Sequence, residues 1–259
     1  MKLEACVDSV ESALSAQAGG ADRVELCDNL LEGGTTPSAG SIALCCARLR
    51  IPVHVLIRPR GGDFVYSDLD LEVMRRDIAI AKELGARGVV FGILLPDGAV
   101  DVPRIRSLAA AARPLLVTFH RAFDFTADAD QALDDLIALG VDRLLTSGHA
   151  ATAVEGTGIL ARLVQRAAGR ITIAAGGGLS EENMLAVIER TGVPEVHVRA
   201  TALLESPVTH RPTHLSLLKQ PLPNEYDRAV TDPERIRRLV ELLGRRTLGE
   251  RPLVERPAC

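Results

Sequence analysis

The sequence predicts a single (β/α)8 TIM barrel, and two observations carry the prediction: a phrase that recurs along the chain and a fitting length. The phrase is a glycine, a short polar step and then a run of apolar residues. It reads Gly20-Ala21-Asp22-Arg23-Val24-Glu25-Leu26, Gly85-Ala86-Arg87-Gly88-Val89-Val90-Phe91, Gly140-Val141-Asp142-Arg143-Leu144-Leu145 and, more loosely, Gly192-Val193-Pro194-Glu195-Val196-His197-Val198. Each glycine suits a helix end, where a left-handed residue is cheap, and each apolar run suits a short strand. The copies lie roughly 50 to 65 residues apart, the length of two strand-plus-helix units, so four copies make eight strands and eight helices. The chain has 259 residues, close to the ~250 of one such barrel.

The remaining elements follow in order. Residues 2–6 form the first strand, and Asp8 with Glu11 three residues on reads as a capping box opening the first helix. Residues 52–57 and 114–120 are the third and fifth strands, each beginning at a proline, which a strand tolerates at its start. Residues 171–175 form the seventh strand, which runs into Gly176-Gly177-Gly178 and a helix capped by Ser180. Apolar residues three and four apart place helices over 71–84 and 131–139. After the eighth strand the periodicity stops: residues 203–231 read as an irregular, proline-containing arm. Asp232-Pro233 then opens a last helix through Leu243. The barrel domain accordingly spans residues 1–246, including the arm, and residues 247–259 are expected to form a mobile tail.

Composition narrows the function classes. Aromatic residues make up 3% of the chain and its net charge is −4, so nucleic acid is not an expected partner. No apolar run approaches the ~20 residues of a membrane span, and a strand begins almost at Met1, so neither a membrane anchor nor a leader is expected. The five cysteines, at 6, 27, 45, 46 and 259, include no CxxC, which points to reduced thiols and a cytoplasmic location.

In a TIM barrel, chemistry sits at the C-terminal ends of the strands. Those ends carry Glu4 and Cys6, Glu25 and Cys27, His54 and Arg58, His120 and Arg121, Thr146 and Ser147, and His197 and Arg199. Residues two apart on a strand share a face, so Glu4 and Cys6 point one way, as do Glu25 and Cys27. If those faces are inward, two carboxyl groups and two thiols meet near the mouth. His54, Arg58 and His120 are then the expected partners of the carboxylates, since a buried carboxylate is costly alone.

Several of these stretches resemble the CutC family of copper homeostasis proteins. They are Glu4-Ala5-Cys6-Val7-Asp8-Ser9, Gly19 through Cys27, Gly33-Gly34-Thr35-Thr36-Pro37-Ser38, Ile57 through Phe64, Thr118 through Asp124, and Leu145-Thr146-Ser147-Gly148. The resemblance runs from residue 2 to about residue 200. It implies a TIM barrel, a cytoplasmic location, a homodimer and a role in handling copper, with Cys6 and Cys27 as Cu(I) ligands. Thiolates are soft ligands that select Cu(I), and cysteines on neighbouring strands about 4.8 Å apart can share one ion. Cys45 and Cys46, inside a helix, read as packing residues.

A second reading stays open: an enzyme acting on a small sugar-like or anionic substrate. Glu4 and Glu25 would divide acid and base roles, His54, His120 and His197 would carry protons or, with the glutamates, hold a harder divalent ion, and Arg58 and Arg60 would clamp the substrate. The chain has three lysines, Lys2, Lys82 and Lys219, none expected inside the barrel, which argues against a Schiff-base aldolase. Gly61-Gly62-Asp63-Phe64 reads as a mobile lid after the third strand. Under either reading the ligand is a copper ion or a small molecule, and the leucine-bearing arm embraces a second copy of the chain.

Overall fold

The computed structural model describes residues 1–212, 214–215 and 226–244. The expected tail at 247–259, Cys259, Lys219 and the arm leucines 217 and 218 lie outside them. Eight strands form a closed parallel barrel in sequence order: β1 (Lys2–Val7), β2 (Arg23–Leu26), β3 (Val53–Leu56), β4 (Gly88–Phe91), β5 (Leu116–Phe119), β6 (Arg143–Thr146), β7 (Thr172–Gly176) and β8 (Glu195–Val198). The helices between them are α1 (Val10–Ala18), α2 (Ala39–Arg48), α3 (Asp68–Glu83), α4 (Val102–Ala112), α5 (Ala129–Ala138), α6 (Thr157–Ala167) and α7 (Met184–Thr191), and α8 (Pro233–Leu242) follows the barrel. The predicted fold class is therefore the observed one.

The recurring phrase has the structural meaning read from it. Gly20, Gly85, Gly140 and Gly192 have φ of 94°, 91°, 68° and 69°, the left-handed region in which a side chain is strained. The Asp-Arg step does two further jobs. Asp22 accepts the N–H of Leu3 at 2.7 Å and Asp142 that of Val117 at 2.8 Å, so each carboxylate ties down a neighbouring strand. The arginine that follows, Arg23 or Arg143, turns into the barrel and is buried.

The outward positions of the strands, among them Val24, Leu26, Val55, Ile57, Val89, Phe91, Val117 and Phe119, pack with the helices into one apolar shell. The barrel interior is different, and Cys27, Leu56 and Val90 form a small apolar cluster of their own there. This division follows from the period of two along each strand.

Three local readings are corrected. Helix α1 is capped by Ser9, whose side chain accepts the Ser12 N–H at 3.1 Å, and not by Asp8; β1 continues through Val7, which moves the cap one residue on. Helix α7 begins at Met184 rather than directly after Ser180, because residues 181–183 form a turn on the Ser180 carbonyl, which accepts the N–H groups of Asn183 and Met184. Residues 203–231 are not wholly irregular. β9 (Thr201–Leu204) and β10 (Arg228–Thr231) pair antiparallel as a two-stranded ribbon. It is anchored where the Thr231 N–H reaches Ser12 Oγ at 3.2 Å. Helix α8 then seats on α1, with Ile236 so close to Gly19 that a Cβ there would lie 2.5 Å from it.

Candidate functional site

The inward faces of the strands build the site in two storeys. The lower one is ionic. Glu4 of β1 is fully buried, opposite Arg23 of β2 and His197 of β8 in the strand register. Arg23 Nε donates to Glu4 and its Nη2 to Glu195 Oε2 at 2.6 Å. Arg143 reaches the same two carboxylates, Glu195 at 2.7 Å and Glu4 at 3.2 Å, and donates to Thr118 Oγ1 at 3.1 Å. His197 Nδ1 lies 2.8 Å from Glu4 Oε1 and 3.8 Å from Glu25 Oε2. Burial alone would raise the Glu4 pKa, but Arg143, His197 and Arg23 hold it well below the usual carboxylate range. His197 is pulled the other way: burial opposes its charge, yet Cys6, Glu4 and Glu25 keep it protonated well above the ordinary imidazole range.

The partners of the buried carboxylates are thus Arg23, Arg143 and His197, rather than the expected His54, Arg58 and His120. The signal was present in the sequence. Arg23 stands two residues before Glu25, and Glu195 two before His197, so strand alternation puts all four on the inner face.

His54 lies beneath the mouth, 1% exposed, with its ring lying across Gly88 of β4, its register partner. Burial pushes its pKa down to about 3, so it is a neutral packing residue at neutral pH. Neither His54 nor Glu4 lines the cavity above.

The upper storey is that cavity, about 850 Å³, open at the C-terminal mouth. Its floor carries Cys6, Glu25, Cys27 and His197; its walls carry Leu56, Leu145, His120, Arg58 and Arg121, and an apolar collar from Leu30, Leu31, Phe64, Leu94, Leu95 and Phe125. The two thiols stand 3.9 Å apart. The hydrogen bond from Cys27 lowers the Cys6 pKa to about 5 against burial, with His197 and Arg199 adding to the effect. Cys27 is raised well above the thiol range by the same contact and by burial. The pair is a thiolate beside a thiol. Cys27 Sγ also lies 3.5 Å from Glu25 Oε1, and Glu25 Oε2 has no hydrogen-bond partner among the described residues. Burial raises the Glu25 pKa to about 7 even though His197 opposes the shift.

His120 forms part of the wall and packs over Gly92. Its Nδ1 accepts the Ala122 N–H at 3.1 Å, so in the neutral ring the proton is on Nε2. Burial, with Arg58 nearby, pushes its pKa down to about 3.

Arg58 and Arg60 do not form the expected clamp. Arg58 donates to the carbonyls of Glu32, Gly34 and Gly62, at 2.8, 2.7 and 2.8 Å. It stitches two mouth loops together. Arg60 lies over the Tyr66 ring and bonds Asp63 and the Val65 carbonyl. The stretch Gly61 through Phe64, expected as a lid, is therefore held by two arginines, with Phe64 packed 5.1 Å from the His120 ring. Cys45 and Cys46 belong to α2, outside the cavity, and Cys45 sits wholly in the apolar shell.

Two donor sets at or just beneath the floor could hold a metal. Donor atoms of Glu4, Glu25 and His197 lie within 4.8 Å of one another, but Glu4 is already occupied by two guanidinium groups and His197, so a hard cation would face like charge. The thiol pair fits a soft ion better: metal–thiolate bonds of ~2.3 Å on either side of one ion span about 3.7 to 4.6 Å, and the sulfurs are 3.9 Å apart.

Fold and site together define a TIM barrel whose C-terminal mouth holds a cavity floored by thiols, a carboxyl group and an imidazolium. Within that class the chain belongs to the CutC family, whose sequence model matches residues 1–202. It is 47% identical over 237 residues to the copper homeostasis protein cutC homolog of Homo sapiens, covering 92% of this chain and 87% of that protein. It is also 47% identical over 241 residues to a family protein CutC of Chromobacterium violaceum, covering 93% and 97%. The crystal structure of a CutC protein from Streptococcus agalactiae superposes with a TM-score of 0.73 at 39% identity, covering 76% of this chain and 97% of that one.

Proposed function

We propose that the chain binds Cu(I) as cargo between Cys6 and Cys27. The observation that carries this reading is the 3.9 Å thiol pair at the floor of an open cavity, with the Cys6 pKa lowered to about 5. A thiolate is the form that ligates, and a soft sulfur pair prefers Cu(I) to harder divalent ions. The copper homeostasis name of the human relative supports the same reading. A cytoplasmic location accords with the unpaired thiols. A homodimer accords with the exposed Leu203, Leu204, Val208 and Leu215 of the arm. An anaerobic competition titration tests the ligands: the wild type should take up one Cu(I) per chain, and Cys6→Ser with Cys27→Ser should abolish that uptake. Equal affinity in the double variant would end the proposal.

A second reading, an enzyme, is favoured by one specific feature: Glu25, with its pKa near 7, is poised to exchange protons with a bound molecule at neutral pH. Under it, Glu25→Gln retains the fold and Cu(I) uptake but loses turnover on any substrate found by screening.

A further inference from the structure

We propose that the cavity above the thiol pair binds a small organic molecule with a flat apolar body and a carbonyl oxygen, and that His120 Nε2–H is the donor that receives this oxygen. The proposal goes beyond copper binding and does not depend on it.

Size is the first reason. Small-molecule pockets occupy about 300–1,000 Å³, and this one holds about 850 Å³. An ion seated between Cys6 and Cys27 touches only its floor. The second reason is the collar. Leu31, Leu95 and Phe125 are 56%, 38% and 68% exposed at the mouth, and apolar surface held open to water is costly unless something covers it. Rings form a tilted series down one wall: Phe125 to Phe64 at 5.6 Å, then Phe64 to His120 at 5.1 Å. A planar body sliding along that wall meets ring faces and edges throughout.

The third reason fixes the polar end. His120 is 6% exposed, its Nδ1 is satisfied by Ala122, and its Nε2 has no partner among the described residues. Nε2 is closed off from water, so a ligand oxygen reaches it through a small shift of the ring or of Phe64 packed against it. A buried N–H with no acceptor is unfavourable, and that contact relieves it. Arg58 lines the same cavity, its guanidinium 5.2 Å from the Phe64 ring centre. Because three of its N–H contacts go to backbone carbonyls, it contributes positive potential rather than a clamp. That potential favours the negative end of a carbonyl dipole. A sugar fits less well: Leu30, Leu31, Phe64, Leu94, Leu95 and Phe125 of the lining offer its hydroxyls no side-chain partner.

The test uses the metal-free full-length protein in reducing buffer and three probes: acetophenone, ethylbenzene (the same body without the oxygen) and glucose. Affinities are read by saturation-transfer difference NMR. Acetophenone should bind about tenfold more tightly than ethylbenzene, the difference expected of one buried hydrogen bond, and glucose should not bind. His120→Phe should erase the preference for acetophenone. Phe125→Ala, at an exposed rim position that cannot endanger the core, should weaken both aromatic probes about threefold or more. Cys6→Ser with Cys27→Ser should leave acetophenone binding intact, which separates this site from the copper reading whatever becomes of that reading. Absence of acetophenone binding to the wild type, equal affinity for ethylbenzene, or unchanged affinities in Phe125→Ala would overturn the proposal.

Discussion

Cys6 and Cys27 are the same residue type 3.9 Å apart, yet they ionise in opposite directions. The asymmetry comes from their neighbours. Cys6 accepts from Cys27 and faces the His197 imidazolium, whereas Cys27 sits against Glu25. Alkylation by iodoacetamide should therefore modify Cys6 first, with a rate that is half-maximal near pH 5 and levels off above it. In Cys27→Ala the largest cause of the lowering is gone, so the rise should move towards the ordinary thiol range near 8.5. A profile identical in both proteins would refute this account of the pair. Residue identity and strand alternation made the pair legible from sequence. The division of charge within it was not, because it depends also on His197, which comes from the last barrel strand in the sequence and reaches β1 only when the barrel closes.

At the scale of the element, each barrel imidazole lies against a glycine of an adjoining strand or strand end: His54 over Gly88, His120 over Gly92 and His197 beside Gly176. The glycines are inward positions where a side chain would claim the space of the ring. Gly88→Ala would bring a Cβ within 2.8 Å of the His54 ring, and overpacking of this kind costs about 1–3 kcal/mol. Urea denaturation should show that loss, whereas Gly158→Ala, in a helix with open space around it, should be neutral or slightly stabilising. The strands themselves were legible because apolar alternation and the Gly-Ala-Asp-Arg phrase mark their starts. The helix starts at Ser9 and Met184 were not, since a cap depends on where the previous element stops and several residues in each loop can serve. The ribbon of β9 and β10 was also missed: its strands are 24 residues apart at their nearest ends and exposed on most positions, so neither carries a periodic signal.

The whole molecule is a conventional apolar shell wrapped round an unconventional interior. Branched apolar residues fill most TIM barrels; here Arg23, Arg143, Glu4, Glu195 and His197 cross-link β1, β2, β6 and β8 from inside. A buried ion pair stabilises little relative to a well-packed apolar replacement, but removing one partner strands the others. Arg143→Met should thus lower unfolding stability by about 3–5 kcal/mol in a denaturant titration. Arg166→Ala, which breaks a half-exposed pair with Asp134, should cost less than about 1 kcal/mol. Comparable losses in the two variants would mean that the interior network is no better insulated than the surface. The barrel itself was readable from the recurring phrase. The network needed the closure of β1 on β8, which joins residues nearly 200 positions apart in the chain.

The seating of each imidazole over a glycine also limits how this barrel can change. A side chain added at position 88 has room only if position 54 gives up its ring, so the two sites are free to drift only as a couple. His54→Ser should rescue much of the loss caused by Gly88→Ala, giving a thermodynamic cycle whose interaction energy offsets the single penalties. The same reciprocity at Gly176 reaches His197 and, through it, the floor where ligands would sit. Substitution on the seventh strand would thereby retune sulfur chemistry on the first without touching a cysteine.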